Sequence, residues 1–405
     1  MRVAATVVAA TALVAGVWGI LHVAWYGHGQ IVDYGVYQHY GDAIEGGAVP
    51  YRDFELEYPP AALPVFVLPS LLSRFNYQHV FQLEMAISLL AIVLAVFVLA
   101  GPWSALLAGL APLALGSVVL SRFDLWPAAL AAWALVALLS RRFTLSAILL
   151  GTAFAAKLWP AVLVPFFIVW LVRNHGRRAA AVWTGTAALA AALWFLPFAV
   201  LSPGGVGHPF HEQFARPLQI ESFGGGLMIA SHLLFGTALG RVDSFGSQNL
   251  AGPGVHIVGT LTSVAGALAL IAVWIVFVRS DASDKTLVVY CAAAVATVIA
   301  FGKVFSPQFL MWLIPFVLAV RTRRAFVAVP LFFVTMILTQ LWFPHHYWDL
   351  AIGFHRVQVF EVVLRDLGVV ALAFVLAWPS RSQHEVLGEH RTRIEALQRV
   401  RAQVE

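Results

Sequence analysis

Charged side chains are concentrated near the start of the chain, in VDYGVYQHYGDAIEGGAVPYRDFELEYPP, residues 32–60. Asp33 comes first, just beyond a long apolar run, and lies among Tyr34, Tyr37 and Tyr40. A carboxylate in such a setting is partly desolvated, which raises its pKa and its basicity. A base of this kind can take the proton of a hydroxyl group during catalysis. The alternative is that Asp33 only caps a short helix that begins after Val32.

Four cations lie in later segments that separate apolar runs: Arg122, Lys157, Arg216 and Lys303. Arg and Lys bind phosphate through charge-assisted hydrogen bonds, so these side chains predict a pocket for phosphate or pyrophosphate. Simpler explanations remain open for three of them. Arg122 can pair with Asp124, two residues further on. Lys157 and Lys303 can extend their ammonium groups out of the apolar runs into water.

Another polar motif, RPLQIESFGGG at 216–226, lies in a long loop between residues 201 and 255. Gln219 and Glu221 are too polar for an interfacial segment without a task. The glycine triplet permits a sharp reversal of the chain or the close approach of a ligand. The alternative is an ordinary polar surface loop.

The motif PHHYWDL supplies the adjacent histidines His345 and His346. Zinc needs three or four ligands at a recognisable spacing, and adjacent histidines usually point apart, so we predict no metal site. The aromatic neighbours of the pair are typical of the belt at a membrane interface. A surface on which a sugar stacks is the second interpretation.

The rest of the chain has the composition of a membrane protein. Of its 405 residues, 60% are hydrophobic and only 11% are charged, against about 25% charged in a soluble domain. Apolar runs of about 20 residues, the length that crosses a bilayer, recur along the chain. We therefore predict an all-α polytopic membrane protein. The net charge of +5 fits Lys and Arg in cytoplasmic loops, and we predict no nucleic-acid partner.

Clusters of Lys and Arg predict the topology. Placing all of these clusters in the cytoplasm gives about twelve spans with both termini inside: 3–24, 79–99, 104–120, 125–140, 145–157, 159–172, 179–200, 256–278, 286–301, 308–320, 325–343 and 357–378. The short, proline-bounded apolar segment 61–72 predicts a re-entrant or interfacial helix in the first outer loop. Every polar motif then falls on the outer side, which indicates one extracytoplasmic site.

Two regions follow from this threading. Residues 1–378 form a membrane domain, and residues 379–405 form a charged amphipathic tail in the cytoplasm. The sequence contains no Walker loop and no dinucleotide fingerprint. A donor used on the outer face must therefore be reached from the membrane, and a lipid-linked phosphate is the natural candidate.

Five motifs, in the same order, resemble those of the GT-C glycosyltransferases of the GT87 type, and the resemblance covers about residues 1–378. The motifs are the first-loop stretch with its closing YPP, SRFDLWPAAL, AAKLWPAVLVP, RPLQIES and GKVFSPQFLMWLIP. The family includes actinobacterial mannosyltransferases that use polyprenyl-phosphate mannose, and some arabinofuranosyltransferases.

The resemblance implies transfer of a sugar, most simply mannose, from polyprenyl phosphate to a glycolipid or glycan hydroxyl, with inversion and without metal or cofactor. DYGVY places the catalytic base on Asp33, with Glu57 and Asp53 in reserve. Arg122, Lys157, Arg216 and Lys303 become candidates for holding the departing phosphate. Candidates for binding the sugar or the acceptor are Tyr37, Gln219, Glu221, Gln308, His345 and His346.

Two other functions stay open. An arabinofuranosyltransferase shares the lipid-phosphate chemistry. A transporter or flippase of a lipid-linked solute is typified by inverted repeats and mid-membrane charges, neither of which the sequence displays. The leading interpretation is a multi-pass plasma-membrane enzyme that works in the bilayer and requires no protein partner.

Overall fold

A computed structural model of the protein describes residues 2–379. The predicted tail, 379–405, therefore lies outside the described residues except for Pro379. Helices dominate, and they are α1 (Arg2–Leu21), α2 (Tyr34–Glu45), α3 (Leu63–Leu71), α4 (Tyr77–Ala100), α5 (Pro102–Leu115), α6 (Val118–Ser121), α7 (Leu125–Leu139), α8 (Phe143–Ala156), α9 (Val164–Leu201), α10 (His208–Ala215), α11 (Phe223–Phe235), α12 (Val255–Val278), α13 (Asp284–Ala300), α14 (Leu310–Val317), α15 (Ala325–Trp342), α16 (Tyr347–Ala351) and α17 (Arg356–Ala377). Short 3-10 helices are Ala24–Gly27, Pro60–Ala62, Trp159–Leu163 and Pro307–Phe309.

Within the described chain, five helical segments are long and apolar enough to cross a membrane. They are Ala4–Leu21, Tyr77–Ala100, Trp159–Leu201, Val255–Val278 and Ala325–Trp342. Six further apolar helices have 10–17 residues, less than the ~20 residues of a straight crossing. The prediction of a helical protein that crosses the membrane several times is confirmed, whereas the count of about twelve spans stays a prediction.

Glycine determines where several of these helices end. Gly101 and Gly116, with φ of 89° and 88°, close α4 and α5. Gly176, with φ of 87°, breaks α9 in its middle. Only glycine enters this left-handed region at little cost, because it has no Cβ. The break in α9 falls between the predicted segments 159–172 and 179–200, so two apolar helices follow each other end to end.

The bundle has a basic end, where the loops rich in Lys and Arg contact one another. Arg173 donates to Ser280 O at 2.6 Å, and Asn174 donates to Ala282 O at 3.1 Å. Arg141 contacts His175 on the same side. From this end α13 runs for 17 residues, or about 25 Å at 1.5 Å per residue. Beyond its far end, Gln219 N donates to Lys303 O at 2.9 Å, and the side of the membrane that each end faces stays a prediction.

In the first loop, α2 packs on the short apolar segment 60–71 and the pair lies against α4. Gly41 makes this close approach possible, since a Cβ there would lie 2.3 Å from Phe66 O. The hydroxyl of Ser70 donates to Asp42 Oδ1 at 2.7 Å and joins the two helices. The loop is therefore folded back onto the bundle around a buried apolar segment.

The long loop contains more structure than the sequence analysis predicts. α10 and α11 lie in it, and they are followed by a hairpin of β1 (Gly240–Ser244) and β2 (Ser247–Ala251), antiparallel with Ser244 opposite Ser247. Ser222 caps α11 by accepting from Gly225 N at 3.2 Å. The glycine triplet makes no reversal. It begins α11, and a Cβ at Gly225 would lie 2.1 Å from Gln219 O, so close packing of the backbone explains the glycine there.

Candidate active site

Arg122 does not form its ion pair with Asp124, the partner that is nearest in the sequence. Arg122, in the turn between α6 and α7, forms an ion pair with Asp33 at the start of α2. Arg122 is almost fully buried, whereas the Asp33 side chain is 33% exposed. Asp33 lies at the cap position of α2, but its side chain makes no capping hydrogen bond to the described residues. Its carboxylate is thus positioned by a cation, and the interpretation as a helix cap is not supported.

Asp124 pairs with Lys157 and not with Arg122. Lys157 Nζ lies 2.6 Å from Asp124 Oδ1, and the indole of Trp312 donates to the same oxygen at 2.6 Å. The ammonium lies 4.7 Å from the centre of the Phe123 ring and 5.4 Å from that of Trp312. Because Lys157 ends α8 in the interior of the bundle, the expectation that its ammonium extends into water is wrong. Burial lowers the pKa of Lys157, and the charge of Asp124 opposes this effect.

A third pair joins the first loop to the long loop. Arg216, just after α10, binds Glu57 and also donates to Phe245 O at 2.8 Å. Burial raises the pKa of Glu57, although the charges of Arg216 and Lys157 oppose the rise. Glu57 therefore lies within electrostatic reach of two of the predicted phosphate-binding cations. Its side chain is 31% exposed.

Gln219 and Glu221 lie deeper than a surface loop. Gln219 donates to Ser306 Oγ at 3.1 Å and accepts from Phe305 N at 2.8 Å, which fixes the segment after α13. Glu221 is 3% exposed, and its Oε2 has no hydrogen-bond partner within residues 2–379. Burial raises the pKa of Glu221 to about 8, with Arg365 and Arg122 acting against the rise. Burial therefore favours the protonated form of the side chain.

Two buried charges in α17 were not among the residues predicted from the sequence. Arg365 and Asp366 are fully buried and form an ion pair with an Nε–Oδ1 distance of 2.8 Å. Arg365 also donates to Glu221 O at 2.7 Å and stacks over Phe305, 3.7 Å from the ring centre. The signal was present in the sequence, because an Arg-Asp pair inside a predicted span is costly unless it has a task.

The charged side chains of the three ion pairs and of Glu221 lie close enough to one another to interact electrostatically as one network. Burial lowers the pKa of Arg122 to about 10, and the charges of Glu221 and Tyr347 oppose this effect. The charges of Glu57 and Arg216 also act on Lys157, in opposite directions. Asp33 and Glu57 are the partly exposed acids, and the cations lie behind them. The arrangement combines partly exposed carboxylates with more deeply buried cations, which suits proton abstraction beside a departing anion.

Other predicted residues lie elsewhere. Asp53 is on the surface, where bonds from Arg52 and from the backbone of Val49 lower its pKa to about 2. Tyr37 is 1% exposed and stacks on Phe66 at 4.6 Å, so it packs in the core of the first loop.

The remaining candidates lie at the edges of the network. Burial lowers the pKa of Lys303, whose backbone oxygen accepts from Gln219 N at 2.9 Å. Gln308 buries an Oε1 without a partner in the described chain. His345 stacks on Trp25 at 4.7 Å, and His346 pairs with Asp349 at 2.9 Å. Among residues 2–379, no three His, Cys, Asp or Glu side chains are grouped so that they can hold a metal ion.

The fold is shared with a solved membrane enzyme. The crystal structure of ArnT from Cupriavidus metallidurans bound to undecaprenyl phosphate matches this chain with a TM-score of 0.51 at 16% identity. The match covers 95% of this chain and 78% of that one. At this identity the likeness establishes the fold alone, and together with the spans it defines a multi-pass membrane protein of the GT-C fold.

Comparison by sequence narrows this class. The profile of glycosyltransferase family 87 matches residues 56–307, more than half of the 405 residues. The chain belongs to glycosyltransferase family 87 and is a membrane glycosyltransferase. The matched segment contains Glu57 and all four predicted cations, whereas Asp33 lies outside it. No curated protein sequence matches the chain.

Proposed function

We propose that the protein transfers a sugar, with mannose as the leading candidate, from polyprenyl phosphate to a hydroxyl group of a glycolipid or glycan. The observation that carries the proposal is the presence of two neighbouring cation–carboxylate pairs, Arg122–Asp33 and Lys157–Asp124, in which both cations are largely buried and Asp33 is partly exposed. They come from separate segments of the chain, so the fold has to bring them together.

The reaction uses the two kinds of charge for different tasks. Asp33 accepts the proton of the acceptor hydroxyl, whose oxygen then bonds to the anomeric carbon of the sugar. The bond between that carbon and the phosphate oxygen breaks, and polyprenyl phosphate leaves with the electron pair. Arg122 and Lys157 stabilise the negative charge that develops on it. Attack from the face opposite the phosphate inverts the anomeric centre.

A lipid-linked donor is supported from two directions. The structural neighbour ArnT is bound to undecaprenyl phosphate, and the cations here lie inside the bundle, where a donor arrives from the bilayer. Arg216, held between Glu57 and Phe245 O, is the third candidate for contact with the phosphate, and Lys303 is the fourth.

The acceptor and sugar contacts are also proposals. Gln219, Glu221 and Gln308 carry polar atoms near the cations, and a protonated Glu221 can donate to a sugar hydroxyl. His345 and His346 lie at an aromatic edge with Trp25, where the acceptor glycan would stack. Tyr37 acts through packing, by supporting the first loop.

The arrangement in the cell completes the proposal. We place the protein in the plasma membrane with about twelve spans, both termini in the cytoplasm and the charged network on the extracytoplasmic face. The chain acts without a protein partner, a nucleic acid or a cofactor.

The test is an assay in membranes that offers polyprenyl-phosphate mannose and polyprenyl-phosphate arabinose side by side. Transfer from the mannose donor, with polyprenyl phosphate released in equal amount, is the expected result. Transfer from the arabinose donor alone would support the proposed chemistry, with arabinose and not mannose as the sugar. Movement of an intact lipid-linked sugar across the membrane without transfer would show that the protein is a flippase and not a glycosyltransferase.

A further inference from the structure

The basic end of the bundle contains a groove that the proposed reaction does not use. The groove has a volume of about 410 Å³, within the range of about 300–1,000 Å³ of small-ligand sites. It lies between the start of α8 and the part of α9 that follows Gly176. Its lining residues are Phe143, Thr144, His175, Arg178, Ala179, Val182, Trp183 and Thr186.

The floor of the groove is fixed by packing. Trp183 is 1% exposed, and its indole donates to Ser146 Oγ at 3.2 Å, which joins α9 to α8. His175 lies 4.8 Å from the Phe143 ring and contacts Arg141. The base is therefore a rigid aromatic surface, and positive side chains lie at its mouth.

One face of α9 continues from this mouth along the apolar exterior. Arg178 and Val182 are one turn apart, and further turns along the same face place Leu189, Leu193 and Leu196, each 57–59% exposed. Side chains at such spacings lie above one another on a helix. On a helix that is long and apolar enough to cross a membrane, this exposed row faces lipid. The row therefore has a cation at the basic end and acyl-chain contact below it.

Charge determines what fits here. Arg178 lines the groove and Arg141 contacts its lining residue His175, whereas no acidic residue is among the lining residues. A site with a cationic mouth and an apolar, lipid-facing continuation complements a molecule with an anionic head and hydrocarbon chains. A zwitterionic lipid brings its own cation to the same mouth and is repelled there.

We propose that this groove binds one anionic phospholipid, with the phosphate on Arg178 and an acyl chain along Val182 and the leucine row. The arginine donates charge-assisted hydrogen bonds to the phosphate oxygens. The site is separate from the donor network, because α8 runs from the groove to Lys157 over 14 residues, about 21 Å.

The test is native mass spectrometry of the full chain in detergent, with phosphatidylglycerol and phosphatidylcholine added in competition. Wild-type protein is expected to retain one phosphatidylglycerol in preference to phosphatidylcholine. Arg178→Gln should weaken this retention about five- to ten-fold, as expected for one arginine at a phosphate. Arg177→Gln removes the same charge from the neighbouring position, which does not line the groove, and should change retention less than two-fold.

A second variant tests the cavity and not the charge. Ala179→Leu fills the groove without altering any charge and should also abolish selective retention. Equal weakening by Arg177→Gln and Arg178→Gln would show diffuse attraction and overturn the proposal. Undiminished retention in Ala179→Leu would overturn it as well. Displacement of the lipid by millimolar inorganic phosphate would assign the groove to a free anion, whereas retention in its presence supports the lipid.

Discussion

Arg122 forms its ion pair with Asp33, in a different segment of the chain, and not with Asp124 two residues away. This choice positions the first loop. The ion pair fixes the orientation of the Asp33 carboxylate, which is the proposed proton acceptor. In the reaction that we propose, the same guanidinium also binds the departing phosphate.

The first prediction concerns the base. Asp33→Asn keeps the size of the side chain but removes its ability to take a proton, so transfer should fall by about 10²- to 10⁴-fold. The measurement is release of polyprenyl phosphate in membranes at matched protein amount. Asp53→Asn is the matched control, because Asp53 lies on the surface beside Arg52, and its activity should stay within two-fold. An active Asp33→Asn variant would move the base to Glu57.

The second prediction concerns the pair of Lys157 and Asp124. Asp124→Asn leaves the ammonium of Lys157 inside aromatic walls without its counter-charge, and removing one partner of a buried pair costs about 3–5 kcal/mol. The free energy of unfolding in detergent should fall by that order. The double variant Lys157→Met, Asp124→Leu should regain most of the stability while transfer stays absent. If the double variant transferred sugar normally, the cation would have no role in binding the donor.

The third prediction concerns pH. The pKa of Glu221 is about 8 in the folded protein and about 4.3 in an unfolded chain. Between these values the folded state holds a proton that the unfolded state has lost, so the contribution of Glu221 to stability decreases as the pH rises. The slope is at most about 1.4 kcal/mol per pH unit. The stabilising contribution of Glu221 is fully present below about pH 4 and is lost above about pH 8.

Glu221→Gln imitates the protonated acid and removes this dependence. The difference in the thermal midpoint between Glu221→Gln and wild type should therefore grow from pH 5 to pH 8. The exposed Glu55 provides the control, since Glu55→Gln should leave the pH profile of wild type unchanged. A constant difference between Glu221→Gln and wild type across the range would contradict a protonated Glu221.

The fourth prediction concerns the charges inside α17. Arg365→Met alone leaves Asp366 buried and unpaired, and it should cost about 3–5 kcal/mol of unfolding free energy. Adding Asp366→Leu should restore most of this. Because Arg365 donates to Glu221 O, the double variant should remain at least ten-fold slower in transfer, with thermal stability measured alongside. Full activity of the stable double variant would show that the pair of Arg365 and Asp366 contributes to packing and not to transfer.

Much of the helical framework could be predicted from the sequence. Apolar runs mark the spans directly, and the predicted segments 79–99 and 256–278 differ from α4 and α12 by at most two residues at each end. Helix α11 was missed because its apolar part follows a polar motif and a glycine triplet. Those features look like a loop until Ser222 is seen to cap the helix.

The sequence indicates the candidate residue types of the site and not their pairings. The fold brings together Arg122, Lys157, Arg216 and Glu57. Sequence proximity favoured a pair of Arg122 with Asp124. In the fold, Arg122 and Asp124 each pair with a residue from a distant segment. Tyr37 illustrates the opposite error. A tyrosine beside a catalytic candidate looks like a ligand contact, yet it stacks on Phe66 in the core, and one sequence does not distinguish these uses.

The cations of the network already have acidic neighbours, and this has a consequence for selectivity. A loose phosphate ion that enters the site has to compete with Asp33, Asp124 and Glu57 for Arg122, Lys157 and Arg216, and it brings no other attraction. A phosphate attached to a long hydrocarbon chain arrives with affinity gained in the bilayer, and that affinity offsets the competition. If the cations bind the donor phosphate as we propose, their acidic partners therefore favour membrane-borne phosphate over soluble phosphate.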